Sequence, residues 1–171
     1  MRLKNPILIL IVAISVVIGA ILGAYYYTTL PTSSPFPAPT KTYLTFRNGT
    51  ETRVLLLDSD VRYGTYDRDV IWPPQPEYSA KKGDPCVIVY GKISNEYDKD
   101  YFICLTAEIY NVKGEKVGTL VSPHSTKPWF ETVYVKSNDA SSFEIHIKYD
   151  KKDIIDYDIF VAWEPTEIPP P

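Results

Sequence analysis

The chain has 171 residues, of which 44% are hydrophobic and 23% charged, and these proportions exclude wholesale disorder. Its formal net charge is −3 and no stretch concentrates Lys and Arg, which excludes the basic surface that nucleic-acid binding requires. The 14 Tyr and 8 Gly, together with abundant Val and Ile, favour strands over helices.

An uncharged apolar run, Ile7–Ala24, opens the chain, with Arg2 and Lys4 before it and three tyrosines directly after it. Folded as a helix, it would measure roughly 27 Å, close to the hydrocarbon thickness of a bilayer. The positive-inside rule places the two basic residues in the cytoplasm. We therefore predict a cytoplasmic N-terminus at 1–6, a transmembrane helix at 7–27 and an extracytoplasmic C-terminal domain, which makes this a single-pass protein of the cell membrane.

The same run could instead be a cleavable secretory signal, which shares the basic start. It is longer than the usual apolar core of such a signal. Cuts after Ala24 or Ala20 would also place bulky Leu22 or Ile18 at the third position before the cut, where a small residue is expected. The residues therefore favour a retained signal anchor, and whether the helix is ever cleaved stays open.

Proline marks both boundaries of the remaining chain. Residues 28–40 are rich in Pro, Ser and Thr, a composition that predicts a semi-rigid, extended stalk between the membrane and the body. Residues 165–171 are Pro-rich too, and we predict a frayed, extended tail there. The body is therefore a single domain at 41–164.

Short apolar runs and alternation dominate this body, and no segment keeps a helical period. Asn48-Gly49 separates two such runs and predicts a hairpin, because both residues tolerate positive φ. About eight or nine strands follow at a spacing that predicts an immunoglobulin-like antiparallel β-sandwich, an all-β fold. The predicted strands are Thr42–Arg47, Thr52–Asp58 with a continuation through Val61–Tyr66, Cys86–Ile93, Tyr101–Tyr110, Val117–Val121, Glu131–Val135, Ser142–Tyr149 and Tyr157–Trp163.

Parity along these strands assigns the core. Odd-numbered apolar residues of two central strands share one face, and apolar residues of three later strands supply the opposing layer. The first set is Val87, Val89, Gly91, Ile93, Ile103, Leu105, Ala107 and Ile109, and the second is Val133, Val135, Phe143, Ile145, Ile147, Ile159 and Val161 or Phe160. Even-numbered residues of the central strands, including Cys86 and Cys104, then point outward.

Residues 84–149 resemble the FxLYD-type and related immunoglobulin-like modules of prokaryotic membrane-anchored surface proteins. Gly91, Ile93 and Asn95 match the G-x-(V/I)-x-N end of a strand in that family. Tyr110-Asn111 stands where the family has an aromatic-Asp pair, Gly114 matches the glycine turn after it, and Phe143-Glu-Ile matches the downstream strand. The resemblance implies a sandwich fold and an adaptor or spacer role, and it implies no reaction.

Cys86 and Cys104 are the only cysteines, and an exported domain with two invites a disulfide. Parity argues against the bond. In a hairpin the two residues would lie far apart, and in opposite sheets their sulfurs would point away from each other, whereas a disulfide needs Cα atoms within about 7 Å. We favour two unpaired thiols, and their redox state stays open.

Few residues indicate chemistry. His124 lies in a loop and His146 alternates with core residues, so we expect structural or solvent-facing roles rather than zinc ligation. Neither lies in a local pattern of nucleophile, base and acid, so we expect no enzyme and no cofactor. The acidic loops lack the order of a calcium-binding loop, and solvated loops are favoured over a calcium site. These loops are Asp58–Asp60, Asp67–Asp69, Glu96–Asp100 and Asp150–Asp158.

Two surface features remain. Asn48-Gly49-Thr50 is an N-glycosylation sequon on the exported side, and whether Asn48 is modified stays open. Four tyrosines could stack on sugars or on a partner protein, and cross-strand packing explains them equally well. They are Tyr63, Tyr66, Tyr78 and Tyr97.

We therefore expect a membrane-anchored β-sandwich with a structural or protein-interaction role at the cell surface. Its partners would be the membrane, through the N-terminal helix, and another surface or membrane protein, with no nucleic acid. The alternative is an extracytoplasmic module that binds or senses a ligand, carbohydrate or calcium. A hydrolase is a third hypothesis, which would require a cleft with a paired base and nucleophile. The identity of the partner or ligand and the oligomeric state are not fixed by the sequence.

Overall fold

The structure, a computed structural model, describes residues 42–167. The predicted N-terminus at 1–6, transmembrane helix at 7–27 and stalk at 28–40 lie outside the described residues, as does 168–171 of the predicted tail. Among the residues that are described, no helix is both long and apolar enough to cross a bilayer.

Strands make up most of the described chain, and the all-β prediction is confirmed. A 3-10 turn at Pro76–Tyr78 lies in the long connection after the second strand. The strands are β1 Thr42–Phe46, β2 Glu51–Thr65, β3 Pro85–Asn95, β4 Tyr101–Asn111, β5 Lys116–Val117, β6 Thr119–Leu120, β7 Glu131–Val135, β8 Ala140–Lys148, β9 Ile154–Val161 and β10 Thr166–Glu167.

Hydrogen bonding joins these strands into one curled sheet, with the order β10-β4-β9-β1-β2-β3-β8-β6 and with β5 and β7 also paired to β4. The sequence predicted two separate antiparallel sheets and did not predict that β1 joins them. Strand β1 is antiparallel to β2 and parallel to β9, where Thr45 lies opposite Phe160. Because β1 pairs on both sides, it covers the edges of β2 and β9 that face it, and the sheet approaches a barrel.

The core lies between the two halves of this curled sheet. Apolar residues of β2, β3 and β8 face those of β4, β7 and β9. Apart from Gly91, the residues predicted to be buried on β3 and β4 are confirmed. The predicted layers are wrong, because β3 pairs with β8 whereas β4 pairs with β7 and β9, so β3 and β4 lie in opposite halves of the sheet. The residues with no exposed surface in this cluster are Val54, Val87, Val89, Ile93, Ile103, Leu105, Ile109, Ile145 and Val161.

A second apolar cluster lies on the outer face of β3 and β8, which parity alone assigned to the outside. Tyr66, Ala80, Cys86, Ile88 and Val121 are all buried there. The connection after β2 folds back over this face, held by paired backbone hydrogen bonds between Val70 and Ala80. Outward positions on β3 are therefore covered by protein instead of solvent.

Most strand ends differ from the prediction by one to three residues, and two other differences change the course or the extent of the domain. The run Val117–Val121 is not one strand, because Gly118 at φ +75° turns the chain from β5, which pairs with β4, to β6, which pairs with β8. A Cβ at position 118 would also lie 2.6 Å from Ile147 Cγ2, so both the conformation and the packing require glycine. Strand β10 pairs with the start of β4, so the chain remains ordered beyond the predicted boundary at residue 164.

The residues that carry the family resemblance have structural roles. Gly91 lies beneath a bulge in β2, and a Cβ there would be 2.2 Å from the carbonyl oxygen of Asp58. Asn95 is fully buried, and its amide group donates to the main-chain oxygens of Lys99 and Val135 at 2.8 and 3.0 Å. The side-chain oxygen of Asn111 accepts from the backbone of the following turn in a similar way.

Candidate functional site

A groove of about 430 Å³ opens where the chain crosses from β5 to β6. We call it the aromatic groove, because Tyr78, Trp129 and Trp163 line one part of it. Each ring comes from a different connection or terminal segment of the sheet, so the groove exists only in the folded domain. Trp163 is 40% exposed, and its ring is therefore accessible to a ligand.

The rings of this groove are fixed by contacts with one another. Trp129 meets Trp72 edge to face at a centroid distance of 5.5 Å and Tyr78 at 5.7 Å. The Lys127 ammonium lies 4.9 Å from the centroid of Trp72 and covers its ring. Such edge contacts and cation–π contacts restrict ring rotation and leave a preformed surface.

A second ring pair supports Trp163. Its ring contacts Phe130 edge to face at 4.3 Å, and Phe130 is buried. Phe130 directly follows Trp129, so one dipeptide of the loop before β7 supports both tryptophans of the groove. Displacing this dipeptide would disturb the whole aromatic part of the groove.

Charged side chains line the opposite part of the groove. Glu108 of β4 forms ion pairs with Arg47 at 3.2 Å and with Lys116 at 3.1 Å. Arg47 also donates to the hydroxyl of buried Thr106 at 3.4 Å. The groove therefore offers guanidinium, ammonium and carboxylate groups in fixed positions beside aromatic rings.

The loop that carries Trp129 is anchored by a buried polar pair at its base. The Ser122 hydroxyl donates to Glu131 at 2.5 Å, and both residues are at least 95% buried. The Ser122 oxygen in turn accepts from the backbone N–H groups of His124 and Ser125, each at 3.2 Å. Burial raises the pKa of Glu131 to about 7, although the Ser122 hydrogen bond acts in the opposite direction.

Two histidines lie beside this anchor. The His124 imidazole is 3.9 Å from a Glu131 carboxyl oxygen and 5.6 Å, centroid to centroid, from the ring of His146. His146 is 7% exposed, and burial lowers its pKa. Of the structural and solvent-facing roles expected for it, His146 has the structural one, because its side chain is covered by Tyr66, whose ring centroid is 5.8 Å away.

Within the described chain, the Tyr66 hydroxyl and His146 Nδ1 are buried without a hydrogen-bond partner. Burial raises the pKa of Tyr66 well above its usual range, so the phenol stays protonated. Tyr66 is thus not a surface tyrosine, contrary to the sequence prediction. Of the other three predicted surface tyrosines, Tyr78 lies in the aromatic groove, while Tyr63 and Tyr97 lie elsewhere.

Cys86 and Cys104 are both free and buried. Cys86 belongs to the outer cluster, whereas Cys104 lies on β4 with its sulfur 3.9 Å from the Thr132 hydroxyl. Burial raises the pKa of both thiols, to about 11 for Cys86. They lie on strands of opposite halves of the sheet, which agrees with the geometry that argued against a bond between them.

The remaining predicted sites stay apart from the groove. Asn48 lies in the turn between β1 and β2, exposed, with its side-chain oxygen accepting from Thr50 N–H at 3.0 Å, and its glycosylation stays a prediction. Over residues 42–167, no three His, Cys, Asp or Glu side chains are grouped so that they could hold a metal ion.

Sequence reasoning missed the aromatic groove, although a signal for it was present. All three Trp residues of the chain lie outside the strands, at positions 72, 129 and 163, where packing in a sheet does not require them.

Comparisons of the chain with protein-family models, with curated proteins and with solved structures find no match.

Proposed function

We propose that this chain is a single-pass, membrane-anchored protein whose extracytoplasmic immunoglobulin-like β-sandwich has a structural or protein-interaction role at the cell surface. The single observation that carries the interaction role is the aromatic groove. Trp, Tyr and Arg are the residues most enriched in the energetic centres of protein interfaces, and Tyr78, Trp129, Trp163 and Arg47 converge here.

The immunoglobulin-like assignment is supported by the pairing of strands around one core. Two groups of mainly antiparallel strands face each other, and consecutive strands such as β3 and β4 lie in different groups. The roles of Gly91, Asn95 and Gly114 are structural, in line with a resemblance to FxLYD-type modules, which implies an adaptor or spacer and no reaction.

A catalytic role has less support. Ser122, His124 and Glu131 are the nearest approach to a hydrolytic set in the described chain. However, the Ser122 hydroxyl donates to the carboxyl group instead of to an imidazole, and Ser122 is only 2% exposed. A nucleophile needs the base as its hydrogen-bond acceptor and access to substrate. The arrangement therefore fits a loop anchor, and we propose a non-enzymatic role.

Site-specific photo-crosslinking in native membranes tests the interaction role. Trp163 and Ile155 are both exposed, at 40% and 53%, and only Trp163 lies in the groove. Each is replaced in turn by p-benzoylphenylalanine in the full-length protein. We expect a discrete protein adduct from position 163 and none from position 155. Adducts of equal yield, or none from either position, would contradict the proposal.

Alkaline carbonate extraction tests the membrane anchor. We expect the full-length chain to stay with the membrane pellet, because an apolar helix of the predicted length is not released by disrupting electrostatic contacts. External protease should also digest the body in intact cells. A chain released into the supernatant would overturn the anchored arrangement and leave the crosslinking result unaffected.

Carbohydrate binding is a second candidate, favoured by the same groove. Aromatic rings pack against the C–H faces of sugars, and the ion-paired Arg47, Glu108 and Lys116 could hydrogen-bond to neighbouring hydroxyls. Thermal unfolding in a panel of soluble oligosaccharides separates the two candidates. A sugar present at 100 times its Kd should stabilise the fold by about 2.7 kcal/mol. Trp163→Ala should abolish that gain, and no gain with any sugar would remove this candidate.

A further inference from the structure

His146 of β8 lies beneath two segments that both carry rings of the aromatic groove. One is the connection after β2, whose Tyr66 covers the imidazole at a centroid distance of 5.8 Å. The other is the loop before β7, whose His124 meets the imidazole edge to face at 5.6 Å. The side chain of His146 is therefore enclosed by segments that are not part of its own strand.

The same two segments build the aromatic part of the groove. Trp129 of the loop contacts Trp72 and Tyr78 of the connection, at centroid distances of 5.5 and 5.7 Å. The main chain of His146 also holds the start of the loop, because its carbonyl accepts from Val121 N–H at 2.9 Å. A displacement of either segment from His146 would therefore disturb the ring contacts that shape the groove.

The surroundings of His146 do not accommodate a second proton on the imidazole. Its Nδ1 atom is buried and has no hydrogen-bond partner in the described chain. A protonated imidazole donates from both ring nitrogens, so the N–H at this position would be buried without an acceptor. The charge would also lie beside the apolar outer cluster, whose Ile88 is opposite His146 on β3.

The charges around His146 compensate for that proton only in part. His124 disfavours protonation, whereas Glu144 of the same strand and Asp67 of the connection favour it. Both carboxylates are already ion-paired with arginines, at 2.7 and 3.2 Å. Burial, together with His124, therefore lowers the pKa of His146. The charged and titratable side chains around this position are Arg62, Tyr66, Asp67, Arg68, Cys86, His124, Glu131, Glu144 and Lys148.

The remaining groups in this set do not neutralise a charged His146. Tyr66 and Cys86 stay protonated at neutral pH, because burial raises the pKa of each. Lys148 is cationic and is paired with a carboxylate at 3.7 Å. Glu131, at the base of the loop, takes up a proton on acidification, and this stabilises the packed loop. A release of the loop at acidic pH would therefore come from His146 and not from Glu131.

We propose that acidification disrupts the aromatic groove, because protonation of His146 displaces the two segments that cover it. The inference rests on the interaction role proposed above and adds a condition to it, since it states at which pH the groove is available to a partner. At neutral pH the imidazole is uncharged and both segments stay packed. The stability of this packing is present above pH 6.5 and is lost as the pH falls below that value, when the loop moves away with Trp129.

Trp fluorescence of the full-length protein in detergent micelles tests the proposal, because all three Trp residues of the chain line the groove or support it. We expect the emission to shift to longer wavelength in one step between pH 7.5 and 4.5, while the far-UV circular dichroism stays unchanged. His146→Gln does not titrate and should abolish the step. Glu131→Gln should retain it, which separates the two titrations.

Two neighbours of His146 keep the test decisive if His146→Gln does not fold. His124→Gln removes a like charge, so the midpoint of the step should move to higher pH. Glu144→Gln removes an opposite charge and leaves its arginine unpaired, so the midpoint should move to lower pH. Exposed Glu51→Gln is the matched control and should leave the midpoint unchanged.

An emission spectrum that does not change with pH, a step that persists in His146→Gln, or shifts of the same sign in the two neighbour variants would overturn the proposal. Loss of the far-UV signal together with the Trp signal would also overturn it, because that result indicates global unfolding.

Crosslinking from position 163 distinguishes this proposal from the interaction role. An adduct of equal yield at pH 7.5 and 5.0 would overturn the pH-dependent release and leave the interaction role in place. No adduct at either pH would contradict the interaction role, and the fluorescence step alone would then decide whether His146 controls the groove.

Discussion

The hydroxyl of Ser122 and the carboxyl group of Glu131 form a hydrogen bond of 2.5 Å at the base of the loop that carries Trp129. Trp129 lines the aromatic groove. The ionisation state of one buried carboxyl group therefore bears on the stability of the loop that presents this ring.

Glu131 should make the stability of the domain depend on pH. Burial raises the pKa of Glu131 from 4.5 to about 7, so the folded protein holds this proton more tightly than the unfolded chain. The resulting stabilisation is complete below pH 4.5 and is lost as the pH rises from about 4.5 to about 7. Between pH 5.0 and 7.5 the free energy of unfolding should fall by about 2 kcal/mol from this group alone.

Comparison with Glu131→Gln isolates this effect, because glutamine keeps an acceptor for Ser122 and does not titrate. His124 and Glu144 lie close to Glu131 and remain in both proteins. His146, whose pKa is lowered, contributes stability that is lost as the pH falls below about 6.5, again in both proteins. Urea unfolding at the two pH values measures the difference. Parallel pH profiles for wild type and Glu131→Gln would contradict the prediction, and exposed Glu164→Gln is the control.

Gly91→Ala should destabilise the fold severely. The added Cβ would lie 2.2 Å from the carbonyl oxygen of Asp58 and 2.8 Å from the Cα of Ser59, and both are backbone atoms that cannot move without breaking the β2–β3 ladder. We expect a loss of about 3 kcal/mol or more in the free energy of unfolding. Exposed Lys92→Ala, one residue further along, should cost well under 1 kcal/mol. A Gly91→Ala protein as stable as Lys92→Ala would contradict the predicted clash with the backbone of β2.

The sequence predicted the core well, because it depends on alternation. Ile103, Leu105 and Ile109 are fully buried, as parity required, and Asn48-Gly49 forms the turn between β1 and β2. Parity could not reveal that the connection containing Tyr66 and Ala80 folds back over β3, since nothing in an irregular segment encodes where it lies. For the same reason Cys86 was correctly placed on the outward face but not recognised as buried.

The candidate site was harder to predict, because it depends on contacts between segments far apart in the chain. The aromatic groove brings Arg47, Trp129 and Trp163 together from three separate connections. Local propensity carries no information on which connections meet.

Asn95→Asp should be more damaging than its nearly unchanged size suggests. The Asn95 amide nitrogen donates to the carbonyl oxygens of Lys99 and Val135, and a carboxylate would place a buried negative charge against both. We expect a loss of about 3 kcal/mol in the free energy of unfolding at pH 7, partly recovered at acidic pH as the carboxyl group is protonated. Asn138→Asp, in an exposed turn, is the matched control. Equal stability of the two variants would show that the Asn95 hydrogen bonds contribute little.

The two cysteines should be unreactive in the native protein. Burial raises the pKa of Cys86 to about 11 and that of Cys104 above its usual range, so little thiolate forms at pH 7.5, and both side chains are at least 93% buried. Iodoacetamide should add no mass to the folded, full-length protein, and both cysteines should be alkylated after unfolding in guanidinium without a reductant. Alkylation in guanidinium only after reduction would instead indicate a disulfide, which the positions on opposite halves of the sheet disfavour.

Cys86→Ala should leave a cavity in the outer cluster and lower the free energy of unfolding by about 1–2 kcal/mol, because the Cys86 side chain packs in one buried cluster with Tyr66 and has no hydrogen-bonding role.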